Sequence, residues 1–301
     1  MLFSQFDILP QLLINSLIIG SIYALASSGL SLVYGLLRIL NFAHGHILMT
    51  GAYIFYFFSV ELEYSILFSG FITIVSTIIL SILAMKIFIA PFLKYSVLLA
   101  LVSTLSLSII LESSISMIFG VNVKSLRIEN FSESYEFYGV YITQLQIIIL
   151  LSALVLLSLL ALFIHKTIPG RFIRALSENP HSGQALGINK DIIFYGIFIL
   201  GSVMAAFAGI MIAYETNLQP LMGNSFTIKA FATMILGGLG NFWGTIAGSY
   251  ILGLTENLSI GLDWFGYTLP AGYKDAFAFV IILIILIFKP NGLFRKGTRR
   301  A

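Results

Sequence analysis

Arg38, Asn41, His44 and His46 fall within nine positions of the stretch GLLRILNFAHGHILMTGAY, residues 35–53, alongside Gly45 and Gly51. Imidazole and amide groups at this spacing could bind a metal, relay a proton or hydrogen-bond a passing solute. Two residues apart on a helix, His44 and His46 diverge and have no third ligand near, so a metal site is not expected. Glu112 is the second chemical outlier, inside LSLSIILESSISMIFG with Ser106, Ser108, Ser113, Ser114 and Ser116 around it. An ionisable group within an apolar run is a functional candidate, because burying its charge is costly. Glu112 could meet a substrate ammonium, pair with a partner subunit, or be neutralised and bonded to those serines. No H-E-x-x-H, G-x-S-x-G or carboxylate dyad accompanies these groups, and His165 and His181 add no regular spacing. Enzymatic chemistry is therefore not expected, and no cofactor is expected in this chain.

The elements holding these groups follow from composition. The chain has 301 residues, of which 58% are hydrophobic and only 10% charged, with a mean hydropathy of +1.00. A soluble domain of this length needs more charge to cover its surface, and several runs reach membrane-spanning length. The expected fold is all-α and polytopic, with about 8–9 transmembrane segments in one transmembrane domain over 1–301. Apolar segments run over 8–37, 42–60, 64–85, 95–119, 142–164, 192–214, 226–257 and 272–288. The first is longer than the hydrocarbon layer, so it must tilt, protrude or break, and Gly20, Gly29 and Gly35 offer break points. Without cysteine there is no disulfide or thiol chemistry. No Lys or Arg precedes residue 38, so no cleavable signal is evident.

Charge sets the sides. Twelve of the sixteen basic residues share one set of connections: Arg38, Lys86, Lys94, Lys166, Arg171, Arg174, Lys190, Lys289, Arg295, Lys296, Arg299 and Arg300. Asp7, Glu61, Glu63, Glu129, Glu133, Glu136, Glu215, Glu256, Asp263 and Asp275 fall in the other set. The first set is expected inside, with a cytoplasmic C-terminus and an external N-terminus. Arg38 then snorkels at the end of the first helix, and Asn41, His44 and His46 sit near the cytoplasmic boundary. The same scheme requires 226–257 to enter and return, through SFTIKAFATMI, the GGLGN turn and FWGTIAGSYILGL. A broken or re-entrant helix pair fits, which makes Gly237, Gly238, Gly240 and Asn241 pathway candidates beside Asn41, His44 and Glu112. Tight packing is the competing reading of the glycines. Gly240, Gly244 and Gly248 recur every fourth residue, as do Gly201, Ala205 and Gly209, a spacing that lets membrane helices approach closely.

The one substantial hydrophilic stretch on the inner side is HKTIPGRFIRALSENPHSGQALGINKD, residues 165–191. Pro169 and Gly170 open it, and 171–178 can form two helical turns with Phe172, Ile173 and Leu176 on one side. Pro180 interrupts, and 182–186 can form another turn ended by Gly187. A solvated loop and a docking element for a soluble partner are both open on composition.

R-A-L-S-E-N-P and A-L-G-I-N in this loop resemble the coupling segment of ABC importer permeases. NFAHG at 41–45, M-x-G-A-Y at 49–53, AFAGIM at 206–211 and ILGGLGNFWGTIAGSYILGL are similar to LivH-type permeases of branched-chain amino acid importers. The resemblance covers about 11–294. It implies a transport subunit in the bacterial cytoplasmic membrane, with ATP hydrolysis on a separate chain. No G-x-x-x-x-G-K-[ST] phosphate loop is present here. It also implies a second, LivM-like permease, two ABC ATPases and an external binding protein, with no nucleic-acid partner. Arg171, Arg174, Ala175, Glu178, Asn179, Ala185 and Gly187 would form the ATPase-coupling surface. The chain departs from the pattern at His46, Ser106 and Gly183. A urea or short-amide permease is the nearest alternative. An ion-coupled transporter or channel is a more distant one, and it gives the structured loop no purpose.

Overall fold

A computed structural model describes residues 2–126, 133–137, 139–185, 187–261, 263–264, 267–268 and 270–294. Glu129, Leu186, Arg295, Lys296, Arg299 and Arg300, invoked above, lie outside the described residues. The chain is almost wholly helical. Helix α1 covers Leu2–Leu37, α2 His44–Tyr56, α3 Ile66–Leu83, α4 Ala90–Leu93 and α5 Val97–Phe119. After a hairpin of β1 (Ser134–Phe137) and β2 (Val140–Thr143) come α6 Gln144–Lys166, α7 Ile168–Glu178, α8 Pro180–Ala185 and α9 Lys190–Glu215. Then follow α10 Met222–Gly237, α11 Phe242–Gly261, a two-residue pairing of β3 (Asp263–Trp264) with β4 (Tyr267–Thr268), and α12 Lys274–Phe288.

Helix starts are written in the sequence. Ser65 and Ser96 accept the backbone N–H groups of Phe68 and Leu99. Thr143 and Gln146 form a reciprocal capping box, and Asn189 accepts from Asp191 and Ile192. Each cap satisfies donors that the first helical turn leaves without partners.

Five described helical segments are long and apolar enough to cross a membrane: 8–37, 66–93, 97–119, 144–166 and 190–215. Helices α10 and α11 form a sixth unit, bent by 118° at the GGLGN turn, as the charge pattern requires. Helix α2 runs on as a π-helical turn, Phe57–Glu61, and α12 has 15 residues, shorter than a full span. The expectation of about eight to nine segments counts these two and both limbs beside the five. Helix α1 is continuous from Leu2 to Leu37, so of the three ways to fit its length, a break is not the one used. Its glycines are contact points instead. A Cβ on Gly20 would meet Tyr250, and one on Gly29 would lie 2.5 Å from the Gly201 carbonyl oxygen.

Small residues bring the remaining backbones together. Gly209 faces the Leu48 carbonyl, where a Cβ would come within 2.2 Å, and Gly248 faces that of Thr233 at 2.5 Å. Between these contacts run hydroxyl bridges: Ser27 to Ser249 at 2.8 Å and Thr245 to Ser31 at 3.0 Å. Lipid offers helices no hydrophobic reason to associate, so close packing and interhelical hydrogen bonds hold α1 to α11. Gly209→Ala forces α2 and α9 apart and is expected to destabilise by about 1–3 kcal/mol. Gly196→Ala, with nothing within 4 Å of its Cβ, is expected to be neutral or mildly stabilising. Thermal unfolding of the two purified variants in detergent checks the contrast.

Candidate functional site

Leaving α1, the chain turns at Arg38, whose φ of 58° lies in the left-handed region, and runs without helix through 38–43. It then re-enters the bundle. His44 Nε2 lies 2.7 Å from the Ala26 carbonyl oxygen. Ala26 is about 16 Å back from the end of α1 at the helical rise per residue. Asn41, His44 and His46 are each about 1% exposed. The polar groups therefore sit inside the bundle, packed against the middle of α1. The segment reverses at Arg38 and closes a turn from Asn41 to His44, whose N–H bonds to the Asn41 carbonyl at 3.3 Å, so α2 starts beside α1.

Non-helical backbone inside the bundle needs partners. Two threonines supply them. Thr104 of α5 accepts from Phe42 N at 3.2 Å, and its hydroxyl lies 3.4 Å from the Leu40 carbonyl. Thr227 of α10 accepts from Gly45 N at 3.1 Å and lies 3.3 Å from the Phe42 carbonyl. Asn41 Oδ1 accepts from Ala43 N at 3.1 Å. Gly45 is needed here because a Cβ would lie 2.2 Å from the Gly223 carbonyl oxygen. Neither threonine carries a motif, and sequence reading passed over both.

His46 points to the other side. Its Nε2 lies 3.1 Å from Glu112 Oε2, which also accepts from Asn224 Nδ2 at 2.7 Å. Glu112, His46 and Asn224 thus join α5, α2 and the first turn of α10. Of the serines read as possible partners of Glu112, Ser106, Ser108 and Ser114 donate instead to the Val102, Leu105 and Ile110 carbonyls within α5.

A second polar cluster went unread. Lys229, the lone lysine of SFTIKAFATMI, lies 3.1 Å from Glu256 and 2.8 Å from Asp275, and donates to the Tyr23 hydroxyl at 2.9 Å. Tyr23 donates to Glu256 at 2.8 Å, and Lys274 lies 3.5 Å from the same carboxylate. Glu256 was expected in an outer connection; instead α11 continues past it and its side chain is 1% exposed. A lysine in one limb with a glutamate in the other was the available signal, since buried charges come paired.

Comparison with known proteins adds identity to this geometry. The family model described as "Branched-chain amino acid transport system / permease component" matches residues 12–286. The chain belongs to this permease family. The permease is 29% identical to the high-affinity branched-chain amino acid transport system permease protein LivH of Escherichia coli K12, over 97% of each chain. It is 30% identical to the corresponding protein BraD of Pseudomonas aeruginosa, over 95% of each. The structure of PsaBC from Streptococcus pneumoniae in complex with Fab shares its fold, with TM-score 0.53, 12% identity and 95% coverage of both chains. The chain is thus a transport-system permease component and not an enzyme.

The other sequence candidates are placed as follows. In the GGLGN turn of the permease, Gly237 abuts the Gly244 backbone, Gly238 abuts Gly292, and Gly240 abuts Gly35. Asn241 caps α11 through Gly244 N and donates to the Phe294 carbonyl. The turn is packed between the end of α1 and the segment after α12, so packing accounts for these glycines. Gly201, Ala205, Gly209, Gly244 and Gly248 are all buried. On α7, Ile173 and Leu176 are buried while Arg171, Phe172 and Glu178 are exposed; Asn179, Ala185 and Gly187 beyond it are exposed too. Arg174 and Ala175 are half-buried, and Arg174 Nη1 donates back to the Ile164 carbonyl. Gly183 lets Leu176 lie close, since a Cβ would come within 2.6 Å of its Cδ2.

Lys229, Lys274, Glu256 and Asp275 balance in charge, which marks this cluster as a brace between α10, α11 and α12. Lys229→Met leaves Glu256 buried without its ammonium and is expected to destabilise by about 3–5 kcal/mol. The Lys229→Met/Glu256→Met double variant is expected to regain most of that loss, as read by thermal unfolding in detergent.

Proposed function

We propose that the permease is the membrane subunit of an ATP-driven importer of branched-chain or other small neutral amino acids. It works beside a second, LivM-like permease, with two ABC ATPases and an external binding protein that delivers the substrate. The assembly lies in a bacterial cytoplasmic membrane, with this chain's C-terminus inside and its N-terminus outside. The substrate class is supported by the names of the relatives, LivH and BraD. In this reading ATP hydrolysis belongs to the separate ATPases.

One observation carries the mechanism. The buried face of α7 and the re-entering segment share a single apolar cluster: Leu36, Leu37, Ile39, Ala43 and Ile47 pack with Ile173, Leu176, Ile197 and Phe198. Arg38 Nη2 also donates to the Ser177 carbonyl at 3.2 Å. The exposed face of α7, with Arg171, Phe172 and Glu178, would seat in a groove of the ATPase, joined by Ala175, Asn179, Ala185 and Gly187. A shift of α7 on ATPase closure then moves 36–47 as a packed body, because close-packed interiors transmit displacement and do not absorb it. His46 sits at the far end of that body, against Glu112. Asn41 and His44 anchor the moving segment, and Glu112 stands at the gate.

The test is co-purification and uptake with Ala175→Arg/Glu178→Arg on the exposed side of α7. The variant is expected to retain the second permease, lose the ATPases and fall to background uptake. A chain that purifies alone and moves amino acids in liposomes without ATP would overturn the importer reading in favour of ion coupling.

A further inference from the structure

Resting on the amino-acid reading above, we propose that Glu112 receives the substrate's α-ammonium group while an apolar groove between α2 and α5 takes its branched side chain. Glu256 and Glu112, each on a helix of the bundle, differ in a way that assigns their roles. Glu256 is closed off, with Lys229 and Lys274 beside it. Glu112 is 25% exposed at the side chain, and among the described residues it has no lysine or arginine partner. Its donors are an imidazole and an amide, and both bonds fall on Oε2. Oε1 therefore has no hydrogen bond among the described residues. A carboxylate held in place by donors that are not fixed cations attracts a cation strongly where water is scarce.

The groove lies further along the same two helices, and Glu112 stands next to its wall residue Leu111 without itself lining it. It has a volume of about 340 Å³ and is lined by Thr50, Ile54, Phe57, Leu111, Ser114 and Ile115, with further apolar residues of α5. Leu111 flanks Glu112 on α5. Thr50 lies one turn beyond His46 on α2, bonded to the His46 carbonyl at 2.7 Å. Isobutyl or sec-butyl groups match these walls, and the charge at one end fixes which way an amino acid lies. Asn224 and Ser225 of α10 are exposed beside it, on a face open for the second permease to cover. The site also moves with the coupling segment, because His46 belongs to α2. A displacement of α2 withdraws one donor from Oε2 and shifts the groove wall with it, releasing the ammonium as the gate changes side.

The natural lack of cysteine makes the test direct. Ser114→Cys puts a single thiol of this subunit in the groove of the assembled complex, whose other subunits are made cysteine-free. A water-soluble methanethiosulfonate reagent reports access. Saturating leucine is expected to slow labelling severalfold. 3-Methylbutylamine, which keeps the ammonium, should also protect, whereas 4-methylpentanoate, which lacks it, should not. Adding Glu112→Gln is expected to raise the leucine concentration for half-protection about tenfold or more, with Glu112→Asp intermediate. Equal protection by leucine and 4-methylpentanoate, no protection at all, or a thiol that the reagent never reaches would each overturn the site. Loss of the second permease on Glu112→Gln would overturn it too, marking Glu112 as an ion-pair partner between subunits. Leucine uptake by the unmodified complex is scored in parallel. Uptake without protection sinks the site alone, and absence of uptake sinks the transport reading beneath it.

Discussion

Backbone N–H and C=O groups cannot be left bare inside a bilayer, and residues 38–43 place non-helical backbone there. Thr104 and Asn41 accept from the N–H groups of Phe42 and Ala43, and Thr227 accepts from that of Gly45 where the helix resumes. Most of the surrounding architecture depends on it. Thr227 reaches the segment only because α10 begins inside the bundle, and α10 begins there only because α10 and α11 form a bent pair. Gly45 permits the contact by letting the Gly223 carbonyl come close.

The non-helical segment also ties one helix to different neighbours at its two ends. At its start, Arg38 and the apolar side chains of 36–47 pack with α7. At its end, His46 meets Glu112 and Asn224. Had α1 simply run into a full-length second helix, a polar side chain at position 46 would lie near the membrane edge. Buried polar groups are costly, and their placement here fits a gate better than a brace. The brace is elsewhere, in the balanced cluster of Lys229, Lys274, Glu256 and Asp275, where charge is cancelled around the buried Glu256.

Much of this was legible in the residues. Hydropathy marked the long helices, the small-residue spacing marked α9 and α11 as close-packing surfaces, and the charge pattern required the return between α10 and α11. The local caps at Ser65, Ser96, Thr143 and Asn189 follow from side-chain chemistry alone. What stayed hidden was long-range. Periodicity gives faces but not partners, so the packing of Asn41 and His44 against α1 and the threonines was not readable. Thr104 and Thr227 lie more than 60 and 180 positions from the backbone they satisfy. Glu256 read as a loop residue because its lysine partner lay in the other limb. The glycines of α1 were open as break points, and their partners Tyr250, Gly201 and Gly240 make them contacts.

The most direct measurement is hydrogen exchange of the amides of Phe42, Ala43, His44 and Gly45 in the intact complex in lipid nanodiscs. If the segment is inserted and bonded as described, these amides should exchange as slowly as those in the centre of α9. Exchange at the rate of an open loop would place NFAHG at the surface and contradict both the gate and its link to α7.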